Sequence, residues 1–177
     1  MTRDEFAQLA LSYLEEVTAY ARRLCRTGWD ADDLVQTAFE QGFQCFEDLE
    51  DPSHCRAWLF RITRNIHIDR MRRKQARPEL RLVEPTDRLA PERVVSPEAV
   101  ERLTAQELEA ALARLPEQQR EAVLLCDLWG FRYAEIAAIT DVPVGTVRSR
   151  ISRARSELAR ILVGDQKTPA ANAGDKS

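Results

Sequence analysis

The sequence predicts an all-α fold, with two helical modules joined by a flexible linker. Three observations lead there. Apolar residues recur at three- and four-residue steps through most of the chain, which is the period of an amphipathic helix. No stretch shows the strict alternation of a half-buried strand. Pro78, Pro85, Pro91 and Pro97 fall in one segment poor in apolar residues, and that segment divides the chain. The boundaries that follow are a first module at 1–77, a linker at 78–103, a second module at 104–163 and a polar, disordered tail at 164–177.

Residues 3–26 read as one amphipathic helix. Phe6, Leu9, Ala10, Tyr13, Val17, Tyr20, Ala21 and Leu24 share its apolar face, and Gly28 ends it. A second helix starts at Asp30, with acids in its first turn where the helix dipole favours them. Leu34, Val35, Ala38, Phe39, Phe43 and Phe46 give it more apolar surface than one stripe needs, while Asp33 and Gln36 stay on the outer face. After the acidic loop Glu47–Pro52, Ser53 caps a long helix to about Arg77. Trp58, Leu59, Ile62 and Ile66 form its buried side. Arg61, Asn65, Ile68 and Arg72, spaced by four, three and four, form one outward stripe.

Beyond the linker, Ser96-Pro97-Glu98 is a helix-start signal and Thr104-Ala-Gln-Glu107 a capping box. Leu108, Ala111, Leu112 and Leu115 form the next apolar stripe. Pro116 opens a further helix, which Gly130 stops. Tyr133–Ile139 is a short apolar helix with Ile136, Ala137 and Ile139 facing inward. A break at Thr140–Asp141–Val142–Pro143 follows. From Val144 a longer helix carries Arg148, Arg150, Arg153, Arg155 and Arg160 against one acid, Glu157. A short helix, a tight turn and a basic second helix together make a helix-turn-helix, whose second helix enters a DNA major groove.

The net charge of −3 hides a strong pattern. Residues 1–55 hold 12 acids and 4 bases, whereas 56–77 hold 8 bases and one acid. Residues 78–110 return to 8 acids and 4 bases, and 144–160 hold 5 bases and one acid. Two basic helices in an acidic chain imply two phosphate-facing surfaces. No apolar run reaches the roughly 18–20 residues that span a membrane. The N-terminus lacks the shape of a signal peptide, so a cytoplasmic protein without membrane insertion is expected. Cys25, Cys45, Cys55 and Cys126 form no CxxC motif, and Cys45 with His54 and Cys55 matches no structural zinc spacing. No metal and no cofactor are expected. No paired carboxylates with a positioned histidine, no glycine-rich phosphate loop and no nucleophile–base arrangement point to an enzyme.

Three segments, DADDLVQTAF, AWLFRITRNIHIDRMRR and ALARLPEQQREAVLLCDLWGFRYAEIAAITDVPVGTVRSRISRAR, occur in this order. Together they resemble the extracytoplasmic-function (ECF) class of the sigma-70 family of bacterial RNA polymerase sigma factors, over residues from about 10 to 162. The resemblance implies a promoter-specificity subunit that binds core RNA polymerase, at its clamp helices and flap, together with promoter DNA. It also implies an anti-sigma factor as partner. Asp30, Asp33, Leu34 and Gln36 would sit against the clamp. Arg61 and Asn65 would face the −10 element, with Arg64, Arg72 and Arg73 on phosphate. Arg148, Ser149 and Arg153 would reach the −35 major groove, with Arg150 and Arg155 nearer phosphate or the turn. Residues 78–103 would thread the polymerase channel.

The chain departs from the family pattern in places. Thr140–Asp141 stands where Leu-Gly is usual in the turn, and Ser152 where many relatives have an aromatic residue or histidine. The loop Glu47–Pro52, in the position that holds a flipped −10 base in relatives, is unusually acidic. The alternative reading is a stand-alone helix-turn-helix regulator with a helical dimerisation domain, which would bind a palindromic duplex without polymerase.

Overall fold

The computed structural model describes residues 1–25, 27–75 and 104–165. Among these are eight α-helices, two short 3₁₀ turns and no strand. The expected linker, the helix start at Ser96-Pro97-Glu98 and the tail beyond Asp165 lie outside the described residues. Contacts divide the chain into two compact units.

The first unit contains α1 (Arg3–Leu11), α2 (Leu14–Leu24), α3 (Gly28–Gln44) and α4 (Cys55–Gln75). It also takes in Ala134–Val142, which sequence continuity alone would keep with the second module. Helix α1 opens on a full capping box between Thr2 and Glu5. The single helix expected over 3–26 is two. The Ser12 hydroxyl donates to the Leu9 carbonyl at 2.6 Å at the end of α1. Tyr13 N–H bonds Ala10 O at 3.1 Å in a tighter i→i−3 turn, and the chain restarts at Leu14. Gly28 does not end that segment but begins α3. Thr27 is the cap, and its Oγ1 accepts from Asp30 N–H at 3.2 Å.

The first core is aromatic. Phe6 meets Phe43, Phe46 and Trp58 with ring centroids 5.2, 5.5 and 5.9 Å apart, and Tyr20 stacks on Phe60 at 4.7 Å. Leu34 of α3 and Leu59 and Thr63 of α4 are fully buried, and these two helices pack against each other. Thr63 avoids an orphaned hydroxyl by donating to Leu59 O at 2.8 Å. Asp51, not Ser53, caps the turn before α4, because Asp51 Oδ1 accepts from Ser53 N–H at 2.8 Å.

The second unit contains α5 (Ala105–Ala113), α6 (Glu117–Asp127) and α8 (Val144–Asp165). The Thr104–Glu107 capping box is present at α5. Ala111, Leu112, Leu115, Val123, Leu125, Trp129, Phe131, Val147, Ile151 and Ala154 are buried, whereas Leu108 stays 43 % exposed. Gly130, at φ 68°, ends α6 as expected, its N–H returning to Cys126 O at 3.1 Å.

Helix α7 (Tyr133–Thr140) buries Ile136 and Ile139, with Ala137 half-buried. The chain then turns at Asp141, the one non-glycine residue with positive φ among those described, at 54°. A left-handed backbone costs an L-residue about 1 kcal/mol, and Asp bears it better than most. Asp141→Gly removes that strain but gives the unfolded chain more freedom, so a gain of roughly 0.5 kcal/mol is expected. Asp141→Val, with a branched Cβ, should lose about 1–2 kcal/mol. Thermal unfolding of both variants checks the sign; a harmless valine would contradict the turn geometry.

Candidate nucleic-acid interface

Helix α4 carries two stripes. The outward one holds Arg61, Asn65 and Arg72, all exposed, with Ile68 half-buried between them. Arg73 and Lys74 extend it, also exposed, while Arg64 is half-buried. The other stripe runs Arg56, Phe60, Thr63, His67, Arg70, again at steps of four and three, and it turns inward. Phe60 and Thr63 are its buried centre. Its two arginines each find a carboxylate on another helix. Arg56 pairs with Glu16 of α2 and lies over the Phe60 ring at 5.9 Å. Arg70 Nη1 lies 2.8 Å from Asp33 Oδ2, and its Nη2 donates to Thr37 Oγ1 at 2.8 Å.

On α8 the arginines are likewise of two kinds. Arg148, in the second turn, is exposed. Arg153 is half-buried, as is Ser149, whose hydroxyl donates to Thr146 O at 2.9 Å. Arg150 donates to Gln118 Oε1 of α6. Arg155 grips Asp127 at the end of α6, with Nη2 to Oδ1 at 2.6 Å and Nε to Oδ2 at 3.3 Å. That carboxylate holds the Arg155 pKa above the ordinary arginine value. Arg160 pairs along the helix with Glu157 at 2.6 Å, and this contact lowers the Glu157 carboxyl pKa. Two of the expected groove or phosphate contacts, Arg150 and Arg155, are thus already bonded to α6.

The acids expected to face a partner divide in the same way. Asp30, Asp33 and Gln36 are exposed on α3. Asp33 is engaged by Arg70, and Gln36 donates to Glu40 at 2.9 Å. Leu34 corrects the expectation: it is 0 % exposed, within the core, and cannot present a side chain to a partner. In the first turn of the same helix, Trp29 is 84 % exposed.

Burial pushes the Cys55 thiol up to about 11 and also raises Cys25 and Cys126, so these three stay protonated at neutral pH. All four cysteines are free. Among the described residues no group of three or more metal-ligating side chains converges, and no helix is long and apolar enough to cross a membrane.

Each unit thus carries a helix with exposed arginines, Arg61 and Arg72 on α4 and Arg148 on α8. The family model described as Sigma-70 region 2 matches residues 9–77, and that for Sigma-70, region 4 matches 105–158. The chain belongs to the sigma-70 family. Within it, the curated relatives place it among the ECF sigma factors. It is 36 % identical over 156 residues to the ECF RNA polymerase sigma factor EcfG of Rhodopseudomonas palustris, covering 88 % of this chain and 83 % of that one. It is 39 % identical over 154 residues to SigE of Mycolicibacterium smegmatis, covering 85 % of this chain but spanning 59 % of that relative's length. Among solved structures it is similar to the sigma factor RpoE of Bartonella quintana in complex with the anti-sigma factor NepR. That match has a TM-score of 0.70 and 33 % identity, and covers 91 % of this chain and 98 % of that one. A sigma factor is an initiation factor, not an enzyme.

Sequence reasoning missed Arg56, Arg70, Gln118 and Asp127 as architectural residues. The signal was present on α4: Arg56 and Arg70 keep the period of the buried Phe60 and Thr63, so a cation there requires an internal partner.

Proposed function

We propose that this ECF sigma factor binds core RNA polymerase and directs initiation at promoters by reading two elements. In this reading, 1–77 is region 2, with α4 on the −10 element; 104–163 is region 4, with α8 on the −35 element; and 78–103 links them. What carries it is the pair of exposed stripes in matching regions, Arg61–Asn65–Arg72 on α4 and Arg148 on α8. Arg61 and Asn65 face bases, with Arg64, Arg72 and Arg73 on phosphate. Arg148, Ser149 and Arg153 face the −35 groove. Arg150 and Arg155, bonded to α6, chiefly hold α8 in place and contribute less to phosphate binding. Asp30, Asp33 and Gln36 face the polymerase clamp, and region 4 meets the flap. Opening is capture: an unpaired base costs a few kcal/mol to extrude and is then held in a protein pocket. The similarity to RpoE in complex with NepR supports an anti-sigma partner, and the assignment as an initiation factor supports a cytoplasmic location.

Transcription in vitro with core polymerase, this protein and a promoter library is the test. Polymerase-dependent initiation from a two-part promoter is expected. Tight binding to a palindromic duplex without polymerase would favour a stand-alone regulator instead.

The acidic loop makes a finer proposal. Leu49 is buried and anchors it, while Glu47, Asp48 and Glu50 are exposed. Asp51 accepts from Ser53 N–H and Oγ, and these bonds lower its pKa. Carboxylates repel phosphate but accept from the cytosine amino group, so this loop selects a −10 base with an exposed amino donor. Glu47→Ala, Asp48→Ala or Glu50→Ala should shift the preferred base in a promoter selection. Asp51→Ala should act through the lost cap. An unchanged −10 preference in all four sinks the idea.

A further inference from the structure

We infer that Arg70 is a positioning residue, and that the circuit Asp33–Arg70–Thr37 holds the DNA-directed helix α4 in register on the polymerase-directed helix α3. The inference rests on the proposed roles of those two helices. One nitrogen of the guanidinium meets Asp33 Oδ2 at 2.8 Å and another donates to Thr37 Oγ1 at 2.8 Å. Thr37 Oγ1 in turn donates to the Asp33 carbonyl at 2.8 Å, which closes the loop. A rigid, forked cation bound to two points one turn apart on α3 resists both sliding and rotation of α4.

Three further observations favour positioning over DNA contact. The Arg70 side chain is 33 % exposed, against 77 % for Arg72 two residues on. Arg70 lies on the inward stripe with Phe60 and Thr63, not on the stripe of Arg61 and Asn65. At the other end of α4, Arg56 makes the equivalent tie to Glu16 of α2. The helix is therefore pinned at Arg56 and Arg70, and Arg61, Asn65 and Ile68 of the outward stripe lie between the pins, with Arg72 just beyond the second. A partly exposed ion pair adds little to stability, so the effect of this one falls on geometry. Small misplacements of a binding group are costly when it must capture a strained substrate, here a base leaving the stack.

The test uses the full chain with core polymerase, at saturating protein so that any change in polymerase affinity drops out. Open-complex yield is measured on a duplex promoter and on one whose −10 region is already unpaired. Arg70→Gln and Thr37→Val should lower the duplex yield, Arg70→Gln by about tenfold, within the range of coupling between contacting residues. Both should change the unpaired template by less than about twofold. The melting temperature should move by less than about 3 °C. Arg70→Lys, which keeps the charge and one of the two bonds, should lose less duplex yield than Arg70→Gln. The inference is overturned if Arg70→Gln lowers the salt slope of promoter binding by about one, the mark of a phosphate contact. It is equally overturned if both templates suffer alike, or if Arg70→Lys is no better than Arg70→Gln. If the unaltered protein opens neither template with polymerase, the proposed function itself fails.

Discussion

Leu34→Ala is expected to destabilise the first unit by roughly 3–5 kcal/mol, enough to unfold much of it at physiological temperature. Leu34 is 0 % exposed in the core of the first unit, as Val35 and Ala38 of the same helix are buried. Truncation removes the transfer free energy of the lost carbons and leaves a cavity that the close-packed surroundings fill only in part. Neighbouring substitutions on the outer face, Asp30→Ala and Gln36→Ala, should stay within about 0.5 kcal/mol and act on polymerase affinity instead. Thermal unfolding beside a polymerase-binding titration separates the two classes. A Leu34→Ala protein that melts normally yet no longer binds polymerase would restore the leucine to the interface and refute its placement in the core.

The second large effect is on promoter choice. Arg148 is exposed in the second turn of α8, where a recognition helix presents side chains to base edges. A bidentate arginine–guanine pair is worth about 1–3 kcal/mol of discrimination, so Arg148→Ala should relax one −35 position by roughly 5- to 150-fold. Selection from a promoter library with a randomised −35 element measures this directly. Arg73→Ala on α4 should behave differently, weakening all promoters alike and reducing the salt slope by about one. Arg155→Ala should leave the −35 preference intact, because its guanidinium is committed to Asp127. An unchanged −35 preference in the Arg148 variant, or a lost one in the Arg155 variant, would reverse these assignments.

Much of the candidate interface was legible in the sequence, and the parts that were not share a cause. The outward stripe of α4 follows from spacing alone, because residues three and four apart share a helix face. The turn at Asp141 is legible too, since few residues other than glycine accept φ 54°. The break at Ser12–Tyr13 was hidden because apolar periodicity runs straight through it. At that point the backbone tightens to one i→i−3 bond, Tyr13 N–H to Ala10 O, which apolar spacing does not announce. The burial of Leu34 follows from pattern, since it belongs with Val35 and Ala38 to the apolar side; only the resemblance implies a clamp contact for it.

The sequence by itself determined the helical class, two basic helices in an acidic chain, the proline-rich division and membership of the sigma-70 family. All of these depend on local periodicity, charge order and motif order. Only the tertiary structure decided which arginines are paired with a carboxylate on another helix. Arg56 meets Glu16, Arg70 meets Asp33 and Arg155 meets Asp127. The partners are 40, 37 and 28 residues apart in the chain, far outside the i to i+4 reach within which a helix face can be read from sequence. An arginine's charge is a property of the residue, but whether that charge is spent inside the fold depends on what another helix brings beside it.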